Sequence, residues 1–338
     1  MPITIDDIAR EANVSKATVS RVINQSKAVS PELSKRVMDI IEKNNFKPNE
    51  LARGLVTKKT FTIGIILPDI SNPVFGALTK GINHYCQKKG YTVLVCESGG
   101  EKEREIQLLD KLEDKKIDGV LFAGVDVDLE LVKTMEEKPY PVVLVTNEAT
   151  CGDHVITTVV HDNVKAVCDA VEFLIQNGHQ KIAFISGPKN DFSSGIKRIQ
   201  GYQDALVRNG IPLREPYIEY GKFTFDSGYQ CMKKIYEENS DLPTAVMVCS
   251  DLMAIGAVQY LKTMHLRVPE DISIMGFDDS ELAMYSDPSL STVRISYSDE
   301  GEKAAVELLR LISNNSKLKP DTYYIGYKII RRNSVLKI

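Results

Sequence analysis

The chain has 338 residues, 43% of them hydrophobic and 26% charged, enough for more than one domain and a sizeable core. No apolar run reaches the ~18 residues that a membrane span needs. The start, Met1-Pro2-Ile3-Thr4-Ile5-Asp6-Asp7, lacks the basic and apolar stretches of a secretory leader, so a cytoplasmic protein is expected. The six cysteines stand without a C-x-x-C pair and the five histidines do not cluster, so no zinc, disulfide framework or cofactor is expected. The net charge of −4 is unevenly divided: residues 1–60 hold eleven Lys/Arg against seven Asp/Glu, and the remainder 31 against 39. A basic head on an acidic body makes the head the part that approaches a polyanion.

In chain order, Thr4 caps a first helix over 5–12, with Asp7 in its first turn. A tight break at Asn13 leads to Ser15, which caps a second helix over 16–23. Ser30-Pro31 starts a third, running to about Asn44, with Leu33, Val37, Ile40 and Ile41 on one face. So small a core over residues 1–46 suits a DNA-reading module. Residues 47–60 (KPNELARGLVTKKT) form a linker. Pro48-Asn49 can start a helix there, but Gly54 weakens it by about 1 kcal/mol relative to Ala. A helix this short is marginal in water and is expected to order only on a partner.

From Phe61 onward, apolar runs at 63–67, 93–96, 120–122, 142–145, 182–185, 246–248 and 272–275 alternate with amphipathic stretches. Those stretches, at 75–89, 103–112, 164–177, 197–209 and 227–237, read as helices. The alternation implies an α/β body of parallel sheets with helices on both faces. Helix ends at Lys88-Lys89-Gly90 and Gln176-Asn177-Gly178 close comparable units about 88 residues apart. Two doubly wound lobes are therefore expected, 61–161 plus 292–322 and 162–291 plus 323–338. Ligands of such folds lie at the carboxyl ends of strands, here in the cleft between lobes.

The stretch from Ile5 to Asn24 (IDDIAREANVSKATVSRVIN) contains V-S-x-x-T-V-S-R-V-I-N, and Ala52-Arg53-Gly54-Leu55 follows about 30 residues later. These motifs resemble the helix-turn-helix and hinge of the LacI/GalR family of bacterial transcription regulators. The rest of the chain resembles the periplasmic-binding-protein-like body of those regulators. Lys16, Ala17 and Ser20 sit near the start of the second helix, away from its apolar Val19, Val22 and Ile23. Lys16 can donate to a guanine edge and Ala17 can offer a methyl contact. Arg21 can reach a guanine or a phosphate, and the resemblance favours the base. Thr4 and Ser15 suit phosphates. The resemblance adds Asn24 and Lys27 as DNA contacts. It also implies that Leu55 wedges between central base pairs in the minor groove, where two hinge helices pack and kink the duplex at a deformable step. Asn49, Ala52, Arg53 and Val56 would then be its neighbours on the DNA.

Several body motifs match the effector pocket of the family: Asp69-Ile70-Ser71-Asn72-Pro73-Val74-Phe75, Ser186-Gly187-Pro188 with Ser194 and Arg198-x-x-Gly201-Tyr202, Phe223 before Asp226-Ser227-Gly228-Tyr229, Ser250-Asp251 and Gly276-Phe277-Asp278-Asp279. The candidate effector residues are Asp69, Asn72, Phe75, Phe192, Ser194, Arg198, Phe223, Ser250 and Asp278. Arg198 can fork two hydroxyls or a carboxylate, Asp278 can accept from adjacent hydroxyls, and Asn72 can donate and accept. Phe75, Phe192 and Phe223 can cover the apolar faces of a sugar ring. Asp251 is expected to cap a helix, and as an alternative to ligand contacts Arg198 and Asp278 could pair with each other in the empty cleft.

An enzyme is not expected, since the chain lacks G-x-G-x-x-G after a strand, G-x-x-x-x-G-K-[ST] and G-x-S-x-G, and shows no Cys/His nucleophile pair. A pure solute-binding protein would need export. The resulting expectation is a homodimeric repressor on a pseudo-palindromic operator, controlled by a sugar or sugar derivative in the cleft. No leucine-heptad tail precedes Ile338, which favours a dimer over a tetramer. The alternative is a global catabolite regulator whose corepressor is a phosphorylated carrier protein, a branch that the 52–55 stretch also resembles.

Overall fold

A computed structural model describes residues 3–24, 29–44, 59–151, 155–314 and 319–338. The chain divides into two compact units, residues 1–61 and 62–338.

The first unit is built from α1 (Ile5–Glu11), α2 (Lys16–Asn24) and α3 (Pro31–Lys43). Thr4 and Asp7 form a reciprocal capping box at the start of α1. Asn13, at φ +50°, makes the tight break before α2, where a short polar side chain tolerates the left-handed region. Ser15 Oγ accepts from the Thr18 N–H at 3.1 Å and starts α2, and Ser30 Oγ does the same for Leu33 in α3. Ile8, Ala9, Ala12, Val19, Val22 and Val37 bury together, with Ile40 and Ile41 packed against them. Glu11 ties the far ends of α1 and α3 by accepting from Lys43 Nζ at 2.9 Å and Asn44 Nδ2 at 3.0 Å.

The second unit holds two six-stranded sheets. Its strands are β1 (Thr62–Leu67), β2 (Thr92–Glu97), β3 (Gly119–Phe122), β4 (Val142–Val145), β5 (Thr158–His161), β6 (Ile182–Ser186), β7 (Ile218–Tyr220), β8 (Ala245–Val248), β9 (Ser273–Asp278), β10 (Ser291–Ile295), β11 (Thr322–Ile325) and β12 (Tyr327–Ile330). The first sheet runs β11-β5-β4-β3-β1-β2, and all its pairings are parallel. The second runs β12-β10-β9-β8-β6-β7 and is parallel except where β12 returns antiparallel on β10. Strands β3, β4, β5, β6 and β8 are buried at every residue, as strands covered on both faces must be.

The covering helices are α4 (Pro73–Lys88), α5 (Lys102–Asp114), α6 (Leu129–Glu136), α7 (Asn163–Gln176), α8 (Lys197–Arg208), α9 (Phe225–Glu238), α10 (Asp251–Thr263), α11 (Glu281–Tyr285) and α12 (Tyr297–Ser313). Among the described residues, no helix is long and apolar enough to cross a membrane. Gly201 shows why a motif residue need not touch a ligand. A Cβ there would lie 2.2 Å from the Val164 carbonyl oxygen, so glycine lets α8 close onto α7. Tyr202 is likewise structural: it stacks on Phe184 and donates to the Ile182 carbonyl at 2.8 Å.

The chain passes between the lobes at three places: after His161, between Ile295 and Tyr297, and at Gly326. Two of these differ from expectation. Strand β10 starts at Ser291 and belongs to the second sheet, so the crossing lies near 296 and not at 291/292. All of β11 belongs to the first sheet, which moves the last crossing from 322/323 to 326. Both strands carry Ser, Thr, Tyr or Arg between their apolar residues, so neither stands out as an apolar run.

Candidate ligand cleft and nucleic-acid interface

In the head, the start of α2 presents Lys16 and Ala17 to solvent, with exposed Arg21 one turn on and half-buried Ser20 between. Lys16 Nζ pairs with Asp6 Oδ1 at 2.6 Å, an exposed bond that a phosphate or guanine edge can replace at small cost. The hydroxyls of Thr4 and Ser15 have local work. Thr4 Oγ1 donates to Asp7 Oδ2 at 2.6 Å, and Ser15 Oγ lies 2.9 Å from Thr18 Oγ1 besides capping α2. Asn24 is the last residue of α2. Lys27, Asn49, Ala52, Arg53, Leu55 and Val56 lie outside the described residues.

The body holds a cavity of about 320 Å³ at the carboxyl ends of both sheets. Asp69, Asn72, Phe75, Ser194, Arg198, Phe223, Ser250 and Asp278 all line it, brought together from five separate strand-to-helix segments. Asp69 makes the turn that leads into α4, accepting from the Ser71 N–H at 2.8 Å, and Asn72 caps α4 through the Val74 N–H at 3.0 Å. Phe223 sits at φ +58°, a left-handed conformation uncommon for an aromatic residue. Phe192 is the exception. Its half-buried ring carries Lys197 Nζ 5.2 Å from the centroid, and it is absent from the cavity lining. The π-helical turn over Phe192–Ile196 shifts the helical register, so Ser194 and Arg198 line the cavity while Phe192 packs under Lys197.

Arg198 is 3% exposed and held from three sides. Its Nε donates to Asn163 Oδ1 at 2.8 Å, its Nη1 to the Cys249 carbonyl at 2.6 Å, and its Nη2 lies 3.3 Å from His161 Nε2. The guanidinium also stacks 3.7 Å over the Phe277 ring. Burial works against its charge, but Tyr297, Cys249, Asp278 and Asp191 outweigh burial and hold its pKa above the ordinary value.

The alternative in which Arg198 and Asp278 bond to each other is not the arrangement found. Asp278 instead accepts from the Tyr297 hydroxyl at 2.6 Å, and at φ +111° its own backbone is strained. Asp279 beside it, at φ +57°, is fixed by Arg332 Nη2 at 2.6 Å and Arg294 Nε at 2.5 Å. Burial raises the Asp278 pKa, and the neighbouring Arg198 charge opposes that rise.

Asp251 corrects another expectation. The α10 cap is Ser250, whose Oγ accepts from the Met253 N–H at 3.3 Å. Asp251 is fully buried and accepts from Thr292 Oγ1 and the Ser280 N–H, both at 2.7 Å. A Cβ on Gly276 would lie 2.4 Å from its Oδ1, so only glycine admits this carboxylate. Burial and the nearby Asp278 both push its pKa up. Burial likewise raises Asp191 to about 6.

The sequence missed Thr146, Asn147, His161, Asp191, Lys222 and Tyr297, which also line the cavity. His161 and Tyr297 stand at lobe crossings, and no loop motif marked them. Two contacts cross the cleft beside it: the Glu148 N–H donates to Ser193 Oγ at 2.9 Å, and Lys197 Nζ pairs with Glu148 Oε2 at 2.7 Å.

Residues 4–49 match the family model for bacterial regulatory proteins, lacI family, and residues 171–335 match the periplasmic binding protein-like domain. The chain is 37% identical over 334 residues, 99% of each chain, to Catabolite control protein A of Priestia megaterium. It is 36% identical over 315 residues, 92% of each chain, to the ribose operon repressor of Haemophilus influenzae. The solved structure of the Lac repressor dimer bound to operator and the anti-inducer ONPF superposes with a TM-score of 0.87 at 25% identity, covering 99% of this chain and 100% of that one. The complex of the transcriptional regulator CelR with cellobiose gives a TM-score of 0.76 at 28% identity, covering 98% and 99%. The chain therefore belongs to the lacI family of bacterial regulatory proteins. It is a DNA-binding transcription regulator and not an enzyme.

Proposed function

We propose that the chain is a cytoplasmic homodimeric repressor of a pseudo-palindromic operator, and that a neutral sugar or polyol in the cleft controls its grip on DNA. The carrying observation is the lining of the cavity. Asp69, Asp191, Asp251 and Asp278 face it against only Arg198 and Lys222 among the charged lining residues. That balance suits hydroxyl groups, which can donate to carboxylates and accept from a guanidinium, and it opposes a phosphate. Phe75 and Phe223 supply apolar faces for a ring. Similarity to the ribose operon repressor of Haemophilus influenzae and to the CelR–cellobiose complex supports the sugar class.

On this reading Lys16, Ala17, Ser20 and Arg21 meet base edges, with Asn24 and Lys27 beyond them. Thr4 and Ser15 contribute through the helix starts they cap, whose amides face phosphates. Leu55 is the minor-groove wedge, flanked by Asn49, Ala52, Arg53 and Val56. Calorimetric titration of the full chain with D-ribose, cellobiose and other neutral sugars, beside their phosphate esters, tests the cleft. Saturable binding confined to neutral members is expected, and binding confined to phosphate esters contradicts the reading.

The likeness to Catabolite control protein A favours a second reading, a catabolite regulator whose corepressor is a phosphorylated carrier protein. Under it, such a protein tightens operator binding while every sugar leaves it unchanged.

A further inference from the structure

Three side chains from both lobes, Glu300, His161 and Arg198, meet at the floor of the cleft in one hydrogen-bonded line with a backbone group at each end. The Thr146 N–H donates to Glu300 Oε1 at 3.1 Å, Glu300 Oε2 lies 3.2 Å from His161 Nδ1, and His161 Nε2 lies 3.3 Å from Arg198 Nη2. Arg198 continues the line to the Cys249 carbonyl at 2.6 Å. Glu300 is fully buried, His161 is 1% exposed and Arg198 is 3% exposed, so water does not substitute for any partner. His161 ends β5 and Glu300 lies in the first turn of α12, both beside lobe crossings, whereas Arg198 stands on α8 of the other lobe. Thr146, at φ +67°, is held in the left-handed region with its N–H aimed at Glu300.

The donor inventory fixes where the imidazole proton sits. A guanidinium has N–H donors and no acceptor, so Nε2 of His161 must present its lone pair to Arg198. The ring proton is then on Nδ1 and is donated to Glu300, whose other oxygen is occupied by the Thr146 N–H. The bonds recorded among the described residues use three of the five N–H groups of Arg198, one on each nitrogen. One N–H on each terminal nitrogen is left for the cavity that Arg198 lines.

We infer that Glu300 is a positioning residue of the ligand cleft: it holds His161 in the Nδ1–H form, and that form keeps the Arg198 guanidinium turned to the cavity. The inference takes its functional consequence from the effector reading of the cleft, but its geometry stands without it. A glutamine at 300 separates positioning from packing. The Thr146 N–H has no second form, so it keeps the glutamine oxygen. The glutamine NH₂ then faces Nδ1 and drives the imidazole to the Nε2–H form. Two donors would meet between Nε2 and Nη2, and Arg198 must leave that contact.

The test is ¹⁵N NMR of the full chain with labelled histidine, in the absence of sugar and DNA, together with a crystal structure of Glu300→Gln. Wild-type protein is expected to show His161 neutral with Nδ1 protonated. Glu300→Gln is expected to lose that signal, gain the Nε2–H form and move Nη2 out of contact with the ring. A wild-type His161 carrying its proton on Nε2 overturns the inference without any variant. So does a folded Glu300→Gln that keeps both the Nδ1–H signal and the Arg198 position. Failure of the sugar titrations would leave these outcomes unaffected, so the two readings fail separately.

Discussion

Arg198 is the side chain on which the cleft turns. Its long stem comes from α8, and its head is fixed by Asn163, His161 and the Cys249 carbonyl before any ligand arrives. A guanidinium so held loses little freedom on binding, which is what preorganisation means energetically. Arg198→Ala is expected to weaken the sugar identified by calorimetry about a hundredfold, since charge-assisted hydrogen bonds contribute about 1.5–3 kcal/mol each. An unchanged titration removes Arg198 from the binding surface. Glu105 on α5 is 2% exposed and accepts from the Ser98 hydroxyl at 3.4 Å. Burial raises its pKa to about 7. The folded state thus holds this proton more tightly than the unfolded chain, so the stability it contributes is present below about pH 4.5 and lost as pH rises through about 7. Glu105→Gln removes that loss. In urea unfolding, the variant is expected to gain on the wild type between pH 5 and pH 8, by about 3 kcal/mol at most. Parallel pH profiles for the two proteins contradict this. At this scale the sequence was informative where a motif fixed the loop, as for Asp69, Asn72 and Asp278. It misled at Phe192, because a π-helical turn changes which side chains face inward and leaves no mark in residue spacing. His161 escaped because its role depends on Glu300, far along the chain.

Among the elements, those with strong local signals were legible. Ser30-Pro31 does start α3, and Asn13 does break α1 from α2, because capping and left-handed turns depend on neighbours in sequence. Strands β5, β7, β10, β11 and β12 were not expected, since their polar residues are satisfied by distant partners. Thr292 of β10 donates to Asp251, for example, and Ser291 receives a bond from the Arg332 N–H. Helices α6, α11 and α12 were also missed. The last carries its buried Tyr297, Ala304, Ala305, Leu308, Leu309 and Ile312 at the spacing of one helical stripe, so its signal was present in the sequence. The hinge over 47–60 carries its own prediction. Leu55→Ala is expected to weaken binding to a specific operator at least tenfold more than to random duplex, because an apolar wedge of the kind proposed for Leu55 acts only where DNA kinks. Equal losses on both duplexes, measured at one salt concentration, contradict the wedge role.

For the whole molecule, a DNA-reading head precedes in chain order a two-lobed body whose cleft is bridged by Arg198, His161, Glu300 and the Glu148–Lys197 pair. The two-lobe plan was legible because alternating apolar runs and helices specify parallel sheets. The crossing points were not, because a few residues decide which sheet a strand joins. If a cleft ligand prefers one lobe arrangement and DNA the other, each must weaken the other by the same factor. All of this depends on the chain reading DNA as a symmetric pair. The most direct test is selection of bound duplexes from a random pool with the purified full-length chain and no added ligand. The account predicts enrichment of a two-fold symmetric site with a deformable central step. Enrichment of an asymmetric site, or of no sequence at all, would contradict it.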